Sequence, residues 1–207
     1  MKQGNNKITF NHYQHSDRSV IMSYLSGLNE LLKSPEDVKT RINIGILGSF
    51  RRPHLELLKR HLCNDEGLNA TLSYDLQEQN PQLPDEGRPE YNVRMSERLI
   101  DGSHIHIVYF FKEDGNEHGI NDSATYELGY LRAARKHTLC TGHYVVILCE
   151  NGYDAKNIGA MRKGIRPKTR DEWDWYDFEE PADSILHATQ FCYGCMLDPR
   201  LMNIIYR

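Results

Sequence analysis

The stretch RINIGILGSF, residues 41–50, decides the fold, because a short isoleucine-rich run passes directly into a glycine turn. Leucines recur at helical spacing shortly after it, at Leu55, Leu58 and Leu62. A continuous apolar run of this length is typical of a strand that is covered on both faces, as strands of parallel sheets are. The stretch therefore predicts a β-strand, a turn and a helix, which together form the first half of a βαβ unit.

The same alternation continues along the chain. We predict further strands over residues 70–74, 104–111 and 144–149, helices near 91–100 and 122–136, and a proline-rich loop over 77–89. Strands that alternate with helices of this length indicate βαβ units. Residues 173–178 alternate aromatic and acidic side chains, which predicts an amphipathic strand with its rings in the core.

Residues 1–40 follow a different pattern. Apolar side chains recur at helical spacing between Val20 and Leu32, and Ser34-Pro35 reads as a helix end. We therefore predict an N-terminal helical extension over residues 1–40 and one doubly wound α/β domain with a mostly parallel sheet over residues 41–207.

Composition excludes several classes of protein. The 207 residues include 25 Lys and Arg against 29 Asp and Glu, a formal net charge of −4, whereas polynucleotide-binding domains are usually basic. No apolar run is long enough to span a bilayer, and the N-terminal residues include no apolar signal segment. Five cysteines cannot all pair internally. We expect a cytoplasmic, reduced protein that binds neither polynucleotide nor membrane.

Ligands of open parallel sheets bind at the βα loops, and the loop that starts at Gly48 is the first candidate. Gly48 permits close backbone approach, Ser49 supplies a hydroxyl, and Arg51 offers a planar fork for phosphate. The alternative is that Gly48 only makes the turn and the arginines are solvated.

The second candidate is the start of the helix predicted after residue 121. Asp122 or Ser123 can cap this helix, and Ser123 could also hold a phosphate. Glu127 then lies near the first turn, where the helix dipole favours the ionised carboxylate that a nucleophile requires. The alternative is an ordinary glutamate at a favoured helix position.

Aromatic residues lie at the same end of the predicted sheet. Phe50 and Tyr109 could stack on a base, although Tyr109 could equally belong to the strand core.

Elsewhere, a Cys-x-x-His and a Cys-x-x-Cys pair have spacing suited to zinc, and the alternative is that they are simple thiols in a reduced protein. We predict neither a metal nor a cofactor. The four residues of these two pairs are Cys140, His143, Cys192 and Cys195.

Residues 42 to about 191 resemble the nucleoside 2-deoxyribosyltransferase-like superfamily, especially its 2′-deoxynucleoside 5′-monophosphate N-glycosidase branch. The segments that carry the resemblance are ILGSFR (46–51), YELGY (126–130), AMRKG (160–164) and WYDFEE (175–180). Each motif is weak alone, and their order and spacing give the match its specificity.

The resemblance implies a flavodoxin-like sheet and cleavage or exchange of an N-glycosidic bond. Glu127 matches the nucleophile of the family, which forms a covalent glycosyl intermediate. It also implies a homodimer or larger homo-oligomer and a small nucleoside or nucleotide as the partner. The positions that match the substrate loop are Gly48, Ser49, Phe50 and Arg51, and those that match the phosphate side are Asn121 and Ser123.

One position departs from the family pattern. Ser96 stands where the family usually has an aspartate that helps to protonate the leaving base. The general acid is therefore unassigned, with Asp122, Asp101 and Glu97 as candidates in falling order. Two alternatives to the N-glycosidase or glycosyltransferase stay open: a non-catalytic nucleotide sensor, and a TIR-like NAD glycohydrolase that also uses one glutamate.

Overall fold

The computed structural model describes residues 35–49, 53–112, 122–137, 144–153 and 173–206. The chain divides into two compact units, Met1–Val38 and Lys39–Arg207, and every strand of the described ranges belongs to the second unit. The helix predicted between Val20 and Leu32 lies outside the described residues.

As far as residue 150, strands and helices alternate in the described ranges, as the apolar pattern predicts. In chain order they are α1 (Pro35–Arg41), β1 (Asn43–Leu47), α2 (Pro53–Arg60), β2 (Asn69–Leu72), α3 (Arg88–Gly102), β3 (Ile105–Phe110), α4 (Asp122–His137), β4 (Tyr144–Glu150), β5 (Trp173–Phe178), α5 (Pro181–Met196) and α6 (Pro199–Ile205). A π-helical turn, His61–Asp65, extends α2, and a 3₁₀ helix, Ser73–Gln77, follows β2.

The five strands form one parallel sheet in the order β2-β1-β3-β4-β5. This order is that of the flavodoxin-like doubly wound fold, so the predicted fold class is confirmed. β2, the next strand in the chain, pairs with one side of β1, and β3 pairs with the other side of β1. The carboxyl ends of β1 and β3 therefore flank the switch point at which such sheets bind ligands.

One face of the sheet packs against α3 and α4 in a large apolar core. Val108 and Phe110 of β3 meet Leu99 of α3 and Leu128 of α4, all of them buried. The two tryptophans of β5 belong to the same core, while Asp174 between them is exposed, so the predicted amphipathic strand is confirmed.

The opposite face of β3 meets α5. Because side chains alternate along a strand, Tyr109 points away from the α3–α4 side, and its hydroxyl donates to Ser184 Oγ at 2.6 Å. Ser184 Oγ in turn donates to the Pro181 carbonyl at 2.6 Å, so this buried hydroxyl pair is satisfied.

The segment after β2 differs from the prediction of a strand over 70–74. The strand ends at Leu72 because the Asp75 carboxylate accepts the Leu72 backbone N–H at 2.6 Å and bends the chain into the 3₁₀ helix. Lys59 Nζ, on α2, donates a hydrogen bond of 2.6 Å to the same carboxylate. A side-chain cap of this kind depends on a tertiary partner and is hard to predict from local pattern.

The loop predicted over 77–89 is shorter in the structure, because α3 begins at Arg88. Pro89 occupies the first turn of α3, where no backbone N–H is needed. Two charge-assisted hydrogen bonds of 2.7 Å join Arg94 of α3 to the Glu86 carboxylate, and the Tyr91 hydroxyl donates to the Asn80 carbonyl at 2.9 Å. The loop is therefore fastened to α3 by side chains on successive helical turns.

The C-terminal end includes one helix that we did not predict. Asp198 accepts the Arg200 backbone N–H at 2.9 Å and caps α6, and Leu201 and Met202 are buried. Among the helices of the described ranges, none is both long and apolar enough to cross a bilayer.

Candidate functional site

A cavity of about 280 Å³ opens at the switch point, beyond the carboxyl ends of β1 and β3. It lies between α3 and α4 and is close to the smallest volumes typical of small-molecule sites. Most of its polar lining consists of hydroxyls and one carboxyl. The lining residues are Gly48, Ser73, Asn92, Val93, Ser96, Ser123, Tyr126 and Glu127.

Gly48 brings the backbone of the first βα turn into the cavity wall. Its φ is +154°, and a Cβ there would lie 3.3 Å from both the Tyr109 carbonyl oxygen and the Tyr109 Cβ. A side chain at this position would push the turn away from β3, so glycine is required for the close approach.

Glu127 is the central polar residue of the cavity, and its side chain is only 3% exposed. Its Oε1 accepts a hydrogen bond of 2.7 Å from the Ser96 hydroxyl, which reaches across from α3. Its Oε2 is buried and has no hydrogen-bond partner among the described residues. The carboxyl group therefore has one occupied oxygen and one unoccupied oxygen.

Burial raises the pKa of the Glu127 carboxyl from 4.5 to about 8, although the Ser96 hydroxyl and the Gly48 backbone amide both act to lower it. The expected helix-dipole effect, which favours the ionised carboxylate, is therefore outweighed by burial. Glu127 is the sixth residue of α4, and the dipole effect fades beyond the first turn, so desolvation dominates.

A second carboxyl group, that of Glu97, accepts a hydrogen bond from Tyr126 in the cavity lining. The Tyr126 hydroxyl donates to Glu97 Oε1 at 2.7 Å, and the Tyr126 side chain is 42% exposed. This hydrogen bond to a carboxylate raises the pKa of Tyr126 to about 12, with burial adding to the effect. Tyr126 thus stands neutral at the rim and presents part of its ring to solvent.

Asn92 lies one helical turn before Ser96, so both face the cavity from α3. Its Oδ1 is buried and has no hydrogen-bond partner among the described residues. An unpartnered buried acceptor is costly in a folded protein. The cavity therefore offers acceptor positions that a polar ligand could satisfy.

The structure brings three of the predicted site residues together. Gly48, Ser123 and Glu127 all line the cavity, although they come from two different βα units. Ser49 follows Gly48 directly and is half-buried, but it is not among the lining residues.

Two other predicted residues lie away from the cavity. Tyr109 is on the opposite face of the sheet, bonded to Ser184, and so cannot stack on a ligand beside Glu127. Asp101 is exposed near the end of α3, where its carboxylate oxygens are each 3.4 Å from the Tyr130 hydroxyl. Neither residue is brought to the cavity as a substrate contact or proton donor.

Several predictions fall outside the described residues. Phe50, Arg51 and Asn121 belong to this group, and for Asp122 the structure describes only the backbone at the first position of α4. Their predicted roles stay predictions.

Four lining residues were missed by the sequence analysis: Ser73, Asn92, Val93 and Tyr126. One signal could have indicated Asn92: it lies four residues before Ser96 on a predicted helix, so both side chains lie on the same helix face. Ser96 is the position where the related family usually has an aspartate. Ser73 carries no such signal, because its position depends on the cap made by Asp75.

The four residues with zinc-ligand spacing are only partly described. Cys192 and Cys195 lie in α5 and are buried, and burial raises the pKa of both thiols. Cys140 and His143 lie outside the described residues. Across the described ranges, no group of three or more His, Cys, Asp and Glu side chains is arranged to hold a metal ion.

No protein-family model matches the sequence, and comparison with curated proteins gives no match either.

Proposed function

We propose that the chain cleaves or exchanges the N-glycosidic bond of a nucleoside or nucleotide, with Glu127 as the nucleophile. The observation that carries the proposal is the buried Glu127 carboxyl, which has one unoccupied oxygen in a cavity at the switch point. The resemblance of residues 42 to about 191 to nucleoside deoxyribosyltransferase-like enzymes supports the same chemistry.

The reaction would take two displacements. Ionised Glu127 attacks C1′ of the sugar, the C1′–N bond breaks, and its electron pair leaves with the base, which takes up a proton. Water, or the nitrogen of a second base, then attacks C1′, gives its proton back to the group that protonated the leaving base, and releases the carboxylate. Two inversions retain the configuration at C1′. Asp122, at the start of α4, is the candidate donor of the proton to the leaving base.

The lining suits a sugar better than a large apolar ligand. Hydroxyls of Ser73 and Ser123 and the amide of Asn92 can exchange hydrogen bonds with the sugar. Tyr126 at the rim offers a partly exposed ring on which a base could stack. A phosphate would depend on Ser123 and on Arg51 in the first βα loop.

The test is chromatography of nucleosides, deoxynucleosides, their monophosphates and NAD after incubation with the protein. We expect free base from at least one compound, and we expect Glu127→Ala to abolish it without unfolding the chain. Asp85→Asn, an exposed acid outside the cavity, is the control and should keep wild-type activity. Base release by Glu127→Ala at the wild-type rate would reject the nucleophile. Nicotinamide as the sole product would instead select NAD cleavage.

A non-catalytic nucleotide sensor is the second candidate, and Ser96 is the observation that favours it. Where the related enzymes have an acid, this chain has a hydroxyl whose proton is already donated to Glu127. Calorimetry that detects tight binding of a nucleotide, together with intact nucleotide after long incubation, would select the sensor over the enzyme.

A further inference from the structure

The hydrogen bond between Ser96 and Glu127 makes the two oxygens of one carboxyl group unequal. Oε1 is 2.7 Å from the Ser96 hydroxyl, whereas Oε2 has no partner among the described residues. A free carboxyl group can rotate about its last torsion and exchange its oxygens. A hydroxyl that binds one oxygen opposes that rotation.

We propose that Ser96 is a positioning residue that holds Oε1 of Glu127, so that Oε2 is the oxygen that attacks the sugar. This inference rests on the proposed function. It gives Ser96 a role of its own at the position where the resemblance leads one to expect an acid. Ser96 acts through Glu127 and need not touch the substrate.

The backbone around Ser96 is held closely enough for this role. Gly45 in β1 lets α3 approach the sheet: a Cβ at Gly45 would lie 2.8 Å from Ser103 Oγ and 3.3 Å from Leu99 Cγ. Leu99 lies one turn after Ser96 on the same helix. On the other side of Ser96, Arg94 ties α3 to the Glu86 carboxylate. The Ser96 hydroxyl is therefore presented from an anchored helix turn.

The titratable groups near Glu127 have partners of their own. On the facing turns of α3 and α4, Tyr126 donates to Glu97, and Tyr130 is near Asp101. On β3, a ring nitrogen of His106 lies 3.0 Å from the Ile100 carbonyl oxygen, and β1 has no titratable residue. Among the described groups around Glu127, Ser96 is the side chain that hydrogen-bonds to the carboxyl.

Removing the hydroxyl has two separable consequences. Ser96→Ala removes a bond that favours the ionised carboxylate, so the pKa of Glu127 should rise further. It also leaves the Gly48 backbone amide without the help of a side-chain donor in holding the carboxyl, so the carboxyl rotates more easily and fewer molecules have an oxygen aligned on C1′. Ser96→Thr keeps a hydroxyl and serves as the matched variant.

The first measurement needs no substrate. Infrared titration of the full chain, with Glu127→Gln subtracted to isolate the carboxyl, should give a midpoint that rises by about one pH unit in Ser96→Ala. Ser96→Thr should restore the wild-type midpoint. An unchanged midpoint in Ser96→Ala, or the same rise in Ser96→Thr, would overturn the proposal.

The second measurement separates alignment from protonation. At a pH above every midpoint Glu127 is ionised in all variants, and there we expect kcat of Ser96→Ala to stay about 10- to 100-fold below wild type with KM little changed. Full recovery of kcat at high pH would overturn the positioning role. If wild type releases no base from any compound, the proposed function fails, and the titration still decides whether Ser96 controls the Glu127 carboxyl.

Discussion

At Glu127, burial and hydrogen bonding act on the carboxyl in opposite directions, and burial is the stronger effect. The resulting pKa of about 8 favours the protonated carboxyl at neutral pH. A nucleophile must be ionised, whereas a general acid must be protonated. The pH dependence of activity therefore distinguishes the two roles.

We predict that kcat/KM rises with pH through an apparent pKa of about 8. The reason is that kcat/KM reports the free enzyme, in which only ionised Glu127 can attack. The measurement is base release at low substrate concentration between pH 5 and 10. A rate that falls through the same pH range would make Glu127 the proton donor.

The same shift predicts how stability depends on pH. Because the pKa of Glu127 is raised in the folded state, the folded chain holds more protons than the unfolded chain between pH 4.5 and about 8. This group's contribution is fully present below pH 4.5 and is lost as the pH rises through 8.

Glu127→Gln removes that dependence. The free energy of unfolding of wild type includes a contribution that is lost between pH 5 and pH 8, and Glu127→Gln lacks that contribution. We therefore expect the difference in free energy of unfolding, Glu127→Gln minus wild type, to increase by on the order of 3 kcal/mol from pH 5 to pH 8. Urea unfolding at both pH values measures it, and Asp85→Asn is the control. An amide does not titrate, so the cost of burying it is the same at both pH values. Equal differences at pH 5 and pH 8 would contradict the prediction.

At the scale of elements, the loop between the 3₁₀ helix and α3 depends on side chains of α3. Arg94 binds the Glu86 carboxylate with two nitrogens, and this contact lowers the pKa of Glu86 to about 2. Tyr91 binds the Asn80 carbonyl from the neighbouring turn. Side chains of α3 thus bind this proline-rich loop at two positions, Asn80 and Glu86.

We predict that Arg94→Gln makes this loop more sensitive to proteolysis at neutral pH. Without the guanidinium, the Glu86 carboxylate no longer fastens the loop, so the loop opens more often. Limited proteolysis followed by mass spectrometry should show faster cleavage between residues 78 and 87. Arg132→Gln, an exposed arginine on α4, should cleave as wild type does. Equal rates in the two variants would mean that other contacts hold the loop.

Elements with a strong apolar pattern could be predicted, and elements that depend on side-chain caps could not. β1 and β4 are continuous apolar runs because helices cover both sheet faces, so their positions follow from local sequence. The 3₁₀ helix after β2 depends on Asp75, whose carboxylate accepts the Leu72 backbone N–H, and helix α6 starts at its N-cap Asp198. Such caps compete with the propensity of the neighbouring residues, which is why the pattern missed them.

At the scale of the whole molecule, strand order explains which part of the cavity the sequence predicts. Gly48 and Glu127 follow strands that become neighbours, so a parallel-sheet prediction is enough to bring them to one edge. Asn92 and Tyr126 join the cavity through the packing of α3 against α4 and through their own rotations about the helix axes. Local sequence does not contain that information.

The sheet unit should fold without the residues that precede it. We predict that a chain of residues 35–207 keeps the far-ultraviolet circular dichroism of a doubly wound domain and unfolds in one cooperative step. The reason is that Lys39–Arg207 includes all five strands and the helices that cover them. Thermal denaturation followed by circular dichroism measures it. A sloping, non-cooperative transition would show that residues 1–34 are needed for folding.

The order of the strands also has a kinetic consequence. β1 lies inside the sheet, yet its partner β3 comes much later in the chain: the hydrogen bond from Asn43 to His104 spans 61 residues. At the usual rate of synthesis, roughly 5–20 residues per second, several seconds pass between the synthesis of β1 and that of β3. During this time the side of β1 that pairs with β3 has no partner strand. Parallel pairings of such long range also close slowly in refolding. We therefore expect the newly made chain to be most prone to aggregation before β3 emerges.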